Sequence, residues 1–272
     1  MKQRGFQVGG EEGDLFCGTA PYYARYRRPY ARPVIEWLVG ACGLQSRDNG
    51  RLLDVGCGTG LVFQALAPYF NEVLAVEPDA EMLEHAAEVT RKLGFQHVAL
   101  RQMRAEALDA TLGEFRLVVF GASFHWTDRA LVTELVFDRL VRGGHLVVMA
   151  SGSLYTGGTP WETALQGVVQ DWLGADRRAG GGVFQRGAPH GEVIGRSRFG
   201  TAERMEIKVD ESWSLDEIVG YLYSTSCASQ VVLGLDKVAG FEEDLRKKLA
   251  PLSTAGVFQK QVSYEIWIAS KR

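Results

Sequence analysis

The chain has 272 residues, 46% hydrophobic and 23% charged, with a net charge of −3 and an isoelectric point near 6.0. This make-up suits a globular chain holding one large α/β domain, or an ordinary domain with a substantial insertion. It excludes the broad basic surface that bulk nucleic acid demands, though not a local basic patch.

Residues 1–15 are polar and glycine-rich and read as a flexible tail, with no apolar run for a signal peptide or anchor. No later stretch approaches the ~18 apolar residues of a spanning helix, so no membrane partner is expected. Pro33 opens a helix carrying Val34, Trp37, Leu38 and Ala41, and GLQSRDNG is a turn. A strand–helix alternation begins at Arg51: a strand over 52–55, a helix over 61–70 and a strand over 72–77. Asp79 then caps a helix that runs to about Leu93 and is stopped by Gly94. Strands follow over 97–100 and 116–121. Asp128 caps a helix with an apolar stripe of Leu131, Leu135 and Leu140, ended by Gly143 and Gly144, before a strand over 145–150. Apolar strands alternating with helices predict a parallel sheet covered on both faces.

Beyond Ser151 the rhythm changes. Thr159-Pro-Trp-Glu162 is a capping box that starts a helix to about Leu173, and Ser214-Leu-Asp-Glu217 is another, opening a helix through Tyr223. The stretch 174–191 is too rich in glycine for regular structure and reads as disordered or as a mobile loop around Gly180 to Gly182. A strand over 203–209, a helix over 241–249 and an alternating strand over 262–269 complete the chain. Cys17, Cys42, Cys57 and Cys227 form no CxxC pair, and a reducing cytoplasm is the expected compartment. His85, His97, His145 and His190 lack ligand spacing, so no metal is expected.

The strand ending in Asp54 runs into Gly56, Gly58 and Gly60 within LLDVGCGTG. Glycines there allow positive φ and let backbone approach a ligand with no Cβ between, and the following helix start offers unpaired N–H groups. A nicotinamide enzyme needs GxGxxG, but residue 61 is Leu61, so the spacing here is GxGxG behind an acid. Glu77 follows 17 residues after Gly60, at the end of the next strand, placed to accept both hydroxyls of a ribose.

With LLDVGCGTG, VLAVEPDAEML, LRQMRAEAL and FRLVVFGASFHWTD in succession, the chain resembles the class I S-adenosylmethionine-dependent methyltransferases. The resemblance implies a Rossmann-like, doubly wound, seven-stranded mixed sheet with its last strand antiparallel, and a helical cap inserted in the C-terminal part. It divides the chain into a cofactor-binding core over 16–151, a cap and specificity region over 152–256, and a closing strand over 257–272. It also implies S-adenosylmethionine as cofactor and S-adenosylhomocysteine as product. In that family the first loop holds the cofactor's amino-acid half, implicating Asp54, Gly56, Cys57, Gly58 and Gly60. Glu77 matches the ribose acid, Pro78 and Met82 flank the adenine, and Arg104, Ala105 and Glu106 match the loop at its edge; Ala122 and Trp126 complete the set. Where many relatives carry an aspartate this chain has Arg104, which cannot accept from the adenine amino group. That contact falls to Glu106, to a main-chain carbonyl, or is absent.

YARYRRPYA (23–31) is similar to the entry segment of small-molecule methyltransferases akin to the trans-aconitate enzymes, which also carry the HW pair seen here as His125-Trp126. Arg28 and Ala31 replace two prolines of that pattern. Tyr23 and Arg27 of this segment are candidates for the cofactor carboxylate, Arg27 offering a bidentate donor. His125 either takes a proton from the acceptor, for which its intrinsic pKa is suited, or bonds the loop and stacks on Trp126. Trp126 either walls the acceptor or packs. Tyr22, Tyr26 and Tyr30 line the pocket or pack, and Cys57 contributes backbone. Trp161, Trp172, Phe184, Trp213, Tyr221 and Tyr223 give the cap aromatic surface, mostly core. The expected reaction is methyl transfer to O, C or N of a small organic molecule. Two alternatives stand beside it: a non-catalytic cofactor-binding regulator, and a methyltransferase of RNA or protein. GASFHW lacks the NPPY-like tetrapeptide of amino-directed DNA enzymes.

Overall fold

A computed structural model describes residues 16–45, 49–154, 157–176, 178–179, 182–183, 187–253 and 255–272. The tail at 1–15, the centre of the turn at 46–48, Phe184, Gly180 and Gly181 lie outside these residues. The first half comprises α1 (Ala20–Tyr26), α2 (Arg32–Ala41), β1 (Arg51–Val55), α3 (Phe63–Leu66), β2 (Glu72–Glu77), α4 (Ala80–Leu93), β3 (Val98–Gln102), β4 (Phe115–Gly121), α5 (Arg129–Arg139) and β5 (Leu140–Ser151). The second half comprises α6 (Pro160–Leu173), β6 (Arg178–Ala179), β7 (Gly182–Val183), α7 (His190–Gly195), β8 (Glu203–Ser214), α8 (Leu215–Tyr223), α9 (Gln230–Leu233), α10 (Val238–Leu249) and β9 (Val257–Ser270).

The described residues form a seven-stranded sheet in the order β3-β2-β1-β4-β5-β9-β8. β1 to β5 run parallel, and the last strand, β9, is antiparallel to both β5 and β8. The doubly wound mixed sheet expected from the sequence is therefore the fold. Strand order reverses between β1 and β4, which opens a crevice beyond their carboxyl ends.

Successive residues of a strand point to opposite faces, so neighbours enter different cores. Leu52, Val73, Leu117, Val119 and Val147 pack under α2, α3 and α4, while Leu53, Leu74, Val118, Phe120 and Val148 pack under α5 and α7. A third core joins α6, α8 and α10 to Trp213 and Phe258, which stand at the far ends of β8 and β9. The long antiparallel pair β8–β9 thus belongs to the sheet at one end and carries the helical cap at the other.

Local rules placed several boundaries well. The Asp79 side chain accepts from Met82 N, Gly94 ends α4 in the left-handed region at φ 67°, and both capping boxes form. Elsewhere the structure corrects the sequence reading. The helix expected over 61–70 reduces to Phe63–Leu66 and a 3₁₀ turn over Ala67–Tyr69, because Pro68 carries no N–H to continue the ladder. In α5 the buried face is Val132, Thr133 and Val136, Leu131 is 45% exposed, and Leu140 opens β5 opposite Phe115. Gly143 and Gly144 lie inside β5, where a Cβ on Gly144 would come within 3.1 Å of the Arg116 carbonyl oxygen. The stretch 174–191 includes regular structure: β6 pairs with β7, and α7 starts at His190 behind Pro189. The helix α1 had no counterpart in the sequence reading; Pro21 stands in its first turn, where a missing N–H costs nothing.

Candidate active site

The crevice is built on the loop after β1. Gly56 N and Cys57 N both donate to the Val76 carbonyl, at 2.8 and 3.1 Å, which folds the loop over the end of β2. Gly56, Gly58 and Gly60 all have positive φ, at 66°, 54° and 94°. A Cβ on Gly56 would lie 2.5 Å from Ser123 Cβ, and one on Gly60 would lie 2.5 Å from the Phe63 ring. On Gly58 the nearest atom would be Tyr23 Cε1 at 3.9 Å, so the protein itself leaves that face open.

Glu77 ties the two loops together. Its Oε2 accepts from Gly58 N at 2.9 Å and its Oε1 from Asp79 N at 3.1 Å. Asp54 is fully buried, and its Oδ2 accepts from Phe63 N at 3.1 Å, capping α3. Its Oδ1, like the Thr59 hydroxyl in the same loop, has no hydrogen-bond partner among the described residues. From the β4 side, the Ser123 hydroxyl donates to the Val55 carbonyl. The residue before it, Ala122, is held at φ 61°, a non-glycine in the left-handed region, with its N–H on the Met149 carbonyl. Such a turn costs roughly 1–2 kcal/mol and redirects the chain toward His125.

The electrostatics are those of an acidic recess. Burial pushes Asp54 up to about 8, against the pull of the Phe63 N–H and with a further push from Glu77. Burial also raises Glu77, more than the N–H groups of Gly58 and Asp79 lower it, and it holds the Cys57 thiol well above its ordinary value. Tyr23 and Tyr30, raised by burial as well, feel Asp54 from the entry segment.

That segment roofs the loop. Tyr23 stands over Gly58, and the Tyr30 hydroxyl lies 3.1 Å from where a Cβ on Gly121 would stand. The Arg27 guanidinium stacks between the rings of Tyr23 and Tyr221, 4.8 and 4.4 Å from their centroids, and its Nε donates to the Ser224 hydroxyl at 2.8 Å. Arg28, in place of a proline, lies 3.8 Å over the Trp213 ring and pairs with Glu211 and Glu217. Tyr22 packs edge-on against Tyr223. The entry segment is thereby fastened to α8 of the cap.

At the other side of the crevice Pro78 is exposed and its carbonyl accepts from Gln102, while Met82 is buried in the first turn of α4. Ala105 is buried. Glu106 is already engaged: Oε1 accepts from Asp128 N at 2.8 Å and Oε2 lies 3.6 Å from Arg104 Nε. The His125 and Trp126 rings are 4.5 Å apart, and Phe16 meets Trp126 edge-on. His190 lies 6.5 Å from His125, between Phe124 and Trp267, with Arg129 Nη1 at 3.4 Å from its Nδ1.

The structure thus gathers Tyr23, Asp54, Gly56, Cys57, Gly58, Gly60 and Glu77 in one place and puts Ala122 beside them. Arg27 reaches it through Tyr23. Sequence reasoning missed Ser123, Ser224 and the approach of His190; no local motif marks Ser224, which is 197 residues from Arg27. Among the described residues no group of His, Cys, Asp and Glu is arranged to hold a metal, and no helix is long and apolar enough to cross a membrane.

A doubly wound sheet with an antiparallel final strand, a glycine loop and an acid at the end of β2 is an arrangement that suits a nucleoside-bearing ligand at the switch point. Residues 52–144 match the family model of the methyltransferase domain. Over that stretch the chain is similar to methyltransferase domains. It is 23% identical to a putative methyltransferase of Dictyostelium discoideum over 78% of this chain and 77% of that one. It is 33% identical to an uncharacterized methyltransferase of Mycobacterium bovis over 48% of this chain, spanning about half (49%) of that relative's length. A putative type II methyltransferase from Anaeromyxobacter dehalogenans superposes with a TM-score of 0.58 at 20% identity, over 91% of this chain and 98% of that one.

Proposed function

We propose that this enzyme transfers the methyl group of S-adenosylmethionine to a small organic acceptor, with the donor held between the glycine loop and Glu77. The observation that carries the cofactor assignment is the recess itself. Two buried polar atoms, Asp54 Oδ1 and Thr59 Oγ1, lack partners among the described residues beside an open Gly58, in a recess where burial raises both Asp54 and Glu77. A ligand bearing positive charge and hydroxyls answers those needs. Bound there, the cofactor supplies an electrophilic methyl group on a sulfonium.

In this reading Glu77 takes the ribose hydroxyls on the lone pairs left by Gly58 and Asp79, and Gly56 to Gly60 lie along the amino-acid half. Pro78, Met82 and Ala105 border the base. Because the Glu106 carboxylate faces Asp128 N, the contact with the adenine amino group falls to a main-chain carbonyl. Tyr23 and Arg27 close the site from above and exclude water, which sharpens every charge interaction inside. Trp126 and Tyr30 border the acceptor, and His125 accepts a proton where the acceptor must lose one. The fastening of α1 to α8 supports a small acceptor, since it holds the entry segment over the glycine loop. The resemblance of the entry segment to trans-aconitate-type enzymes supports the same class. The exposed, unpaired thiol of Cys17 suits a reducing compartment such as the cytoplasm.

The test is incubation with methyl-labelled S-adenosylmethionine and a cell-metabolite extract, read by mass spectrometry. A labelled small molecule, formed more slowly by about 10²–10⁴-fold in His125→Ala at unchanged cofactor affinity, is the expected result. Label found only in RNA or protein would overturn the acceptor assignment.

A further inference from the structure

Asp54 has no exposed surface, and one of its two carboxylate oxygens has no partner among the described residues. Its strand neighbours are apolar, Ala75 on β2 and Val119 on β4. Among the described residues one N–H reaches it, from Phe63, and it covers Oδ2 alone. The titratable groups around it are Glu77 on β2, Cys57 on the glycine loop, Tyr23 on α1 and Tyr30 between α1 and α2. Of the charged groups, Glu77 is a second anion, and the Arg27 cation acts on the two phenols while bonded to Ser224. A buried carboxylate with one N–H and an anion beside it is poorly stabilised when ionised.

We propose that Asp54 is protonated before the cofactor enters and releases its proton to solvent as the cationic cofactor binds, so that binding of S-adenosylmethionine is proton-linked. The free acid needs no countercharge, and a neutral unpartnered oxygen costs less in a buried site than a charged one. A sulfonium and an ammonium entering the recess stabilise the anion, and the proton leaves through the crevice to the buffer. Burial, which holds the free group near 8, places the effect in the neutral range. The linkage then has a fixed sign. Between its bound-state value and about pH 8 the Asp54 contribution to cofactor affinity rises with pH, by up to tenfold per unit, and above about pH 8 that contribution is flat. The inference rests on the cofactor assignment and is independent of the acceptor.

Isothermal titration of the full chain with S-adenosylmethionine, in buffers of different ionisation enthalpy, measures the protons exchanged. At about pH 6.5 release of close to one proton per cofactor is expected, and the share due to Asp54, read as the difference from Asp54→Asn, falls to none above about pH 9. Asp54→Asn keeps the oxygen that accepts from Phe63 and is expected to abolish the release and flatten the pH dependence. Glu77→Gln binds more weakly and keeps the release. Should Asp54→Asn fail to fold, infrared difference spectra of the unaltered chain carry the test, through loss of a protonated-carboxyl C=O band when cofactor is added. Binding with no proton exchange, full release by Asp54→Asn, or no change in that band would overturn the proposal. Absence of any binding would overturn the cofactor assignment with it.

Discussion

Glu77 holds the tip of the glycine loop: its Oε2 accepts the Gly58 N–H at 2.9 Å while Oε1 accepts that of Asp79 at 3.1 Å. One carboxylate therefore sets both the loop after β1 and the turn after β2, and the end of the sheet is organised before any ligand arrives. An amide cannot do this. In Glu77→Gln one of the two N–H groups faces an NH₂, and the negative charge is gone. Hydrogen bonds to charged groups are worth about 1.5–3 kcal/mol, so cofactor affinity falls by roughly 10- to 100-fold. Calorimetric titration of the variant checks this; an unchanged Kd would show that Glu77 shapes the loop without touching the ligand.

The glycines divide into two kinds, and alanine substitution separates them. Gly58→Ala meets no protein atom closer than 3.9 Å, so its stability cost is the left-handed backbone alone, about 1–2 kcal/mol. Its methyl group, though, projects into the face the cofactor approaches, and binding is lost. Gly60→Ala drives a methyl to 2.5 Å from the buried Phe63 ring, adding about 1–3 kcal/mol of overpacking to the same strain. The larger drop in melting temperature belongs to Gly60→Ala, the larger loss of affinity relative to that drop to Gly58→Ala. Parallel losses in both would refute the division.

Why the sequence yields the loop and the entry residues Tyr23 and Arg27, but not what fastens them to the cap, follows from the range of the interactions. Asp54 to Glu77 spans one strand–loop–helix–strand unit, and the spacing of glycines and acids within it is a local pattern. The caps at Asp79, Thr159 and Ser214 are local too, since each needs only a side chain three residues before an N–H. The roof depends on distant pairs: Arg27 with Ser224, Arg28 with Trp213, Tyr22 with Tyr223. No periodicity or composition carries those. The error in α5 has a similar origin, because Leu140 fits a helical stripe equally well until its pairing with Phe115 claims it for β5. His190 was read for metal-ligand spacing alone, whereas its neighbours are aromatic rings brought in by α7, β9 and the β4 turn.

The cap has its own fixed point in the buried pair Glu162–Lys260. Glu162, third residue of α6 and last of its capping box, takes the Thr159 N–H at 3.1 Å and its hydroxyl at 2.7 Å on Oε2, and the Lys260 ammonium of β9 on Oε1. The side chains are 4% and 6% exposed, and the neighbouring Trp161 Nε1 donates to the Gln259 carbonyl at 3.1 Å, so α6 is joined to β9 twice. Removing one partner strands a charge: Lys260→Met is expected to destabilise the fold by about 3–5 kcal/mol. Adding Glu162→Gln, which preserves the capping box and removes the charge, recovers most of that loss. The pH dependence tells this apart from simple loss of packing. Burial raises the Glu162 pKa, but Lys260 and Thr159 more than reverse it, so the folded value lies below the ordinary 4.5. A depressed carboxylate contributes its stability above the unfolded value and loses it as pH falls through the folded one. The unaltered chain therefore weakens on acidification below about pH 4.5, whereas Lys260→Met gains relative to it as its unpaired Glu162 takes up a proton. In urea unfolding at about pH 7 and pH 4.5 the deficit of Lys260→Met narrows toward the acid side. A deficit of equal size at both would show that the lysine contributes by filling space and not by its charge.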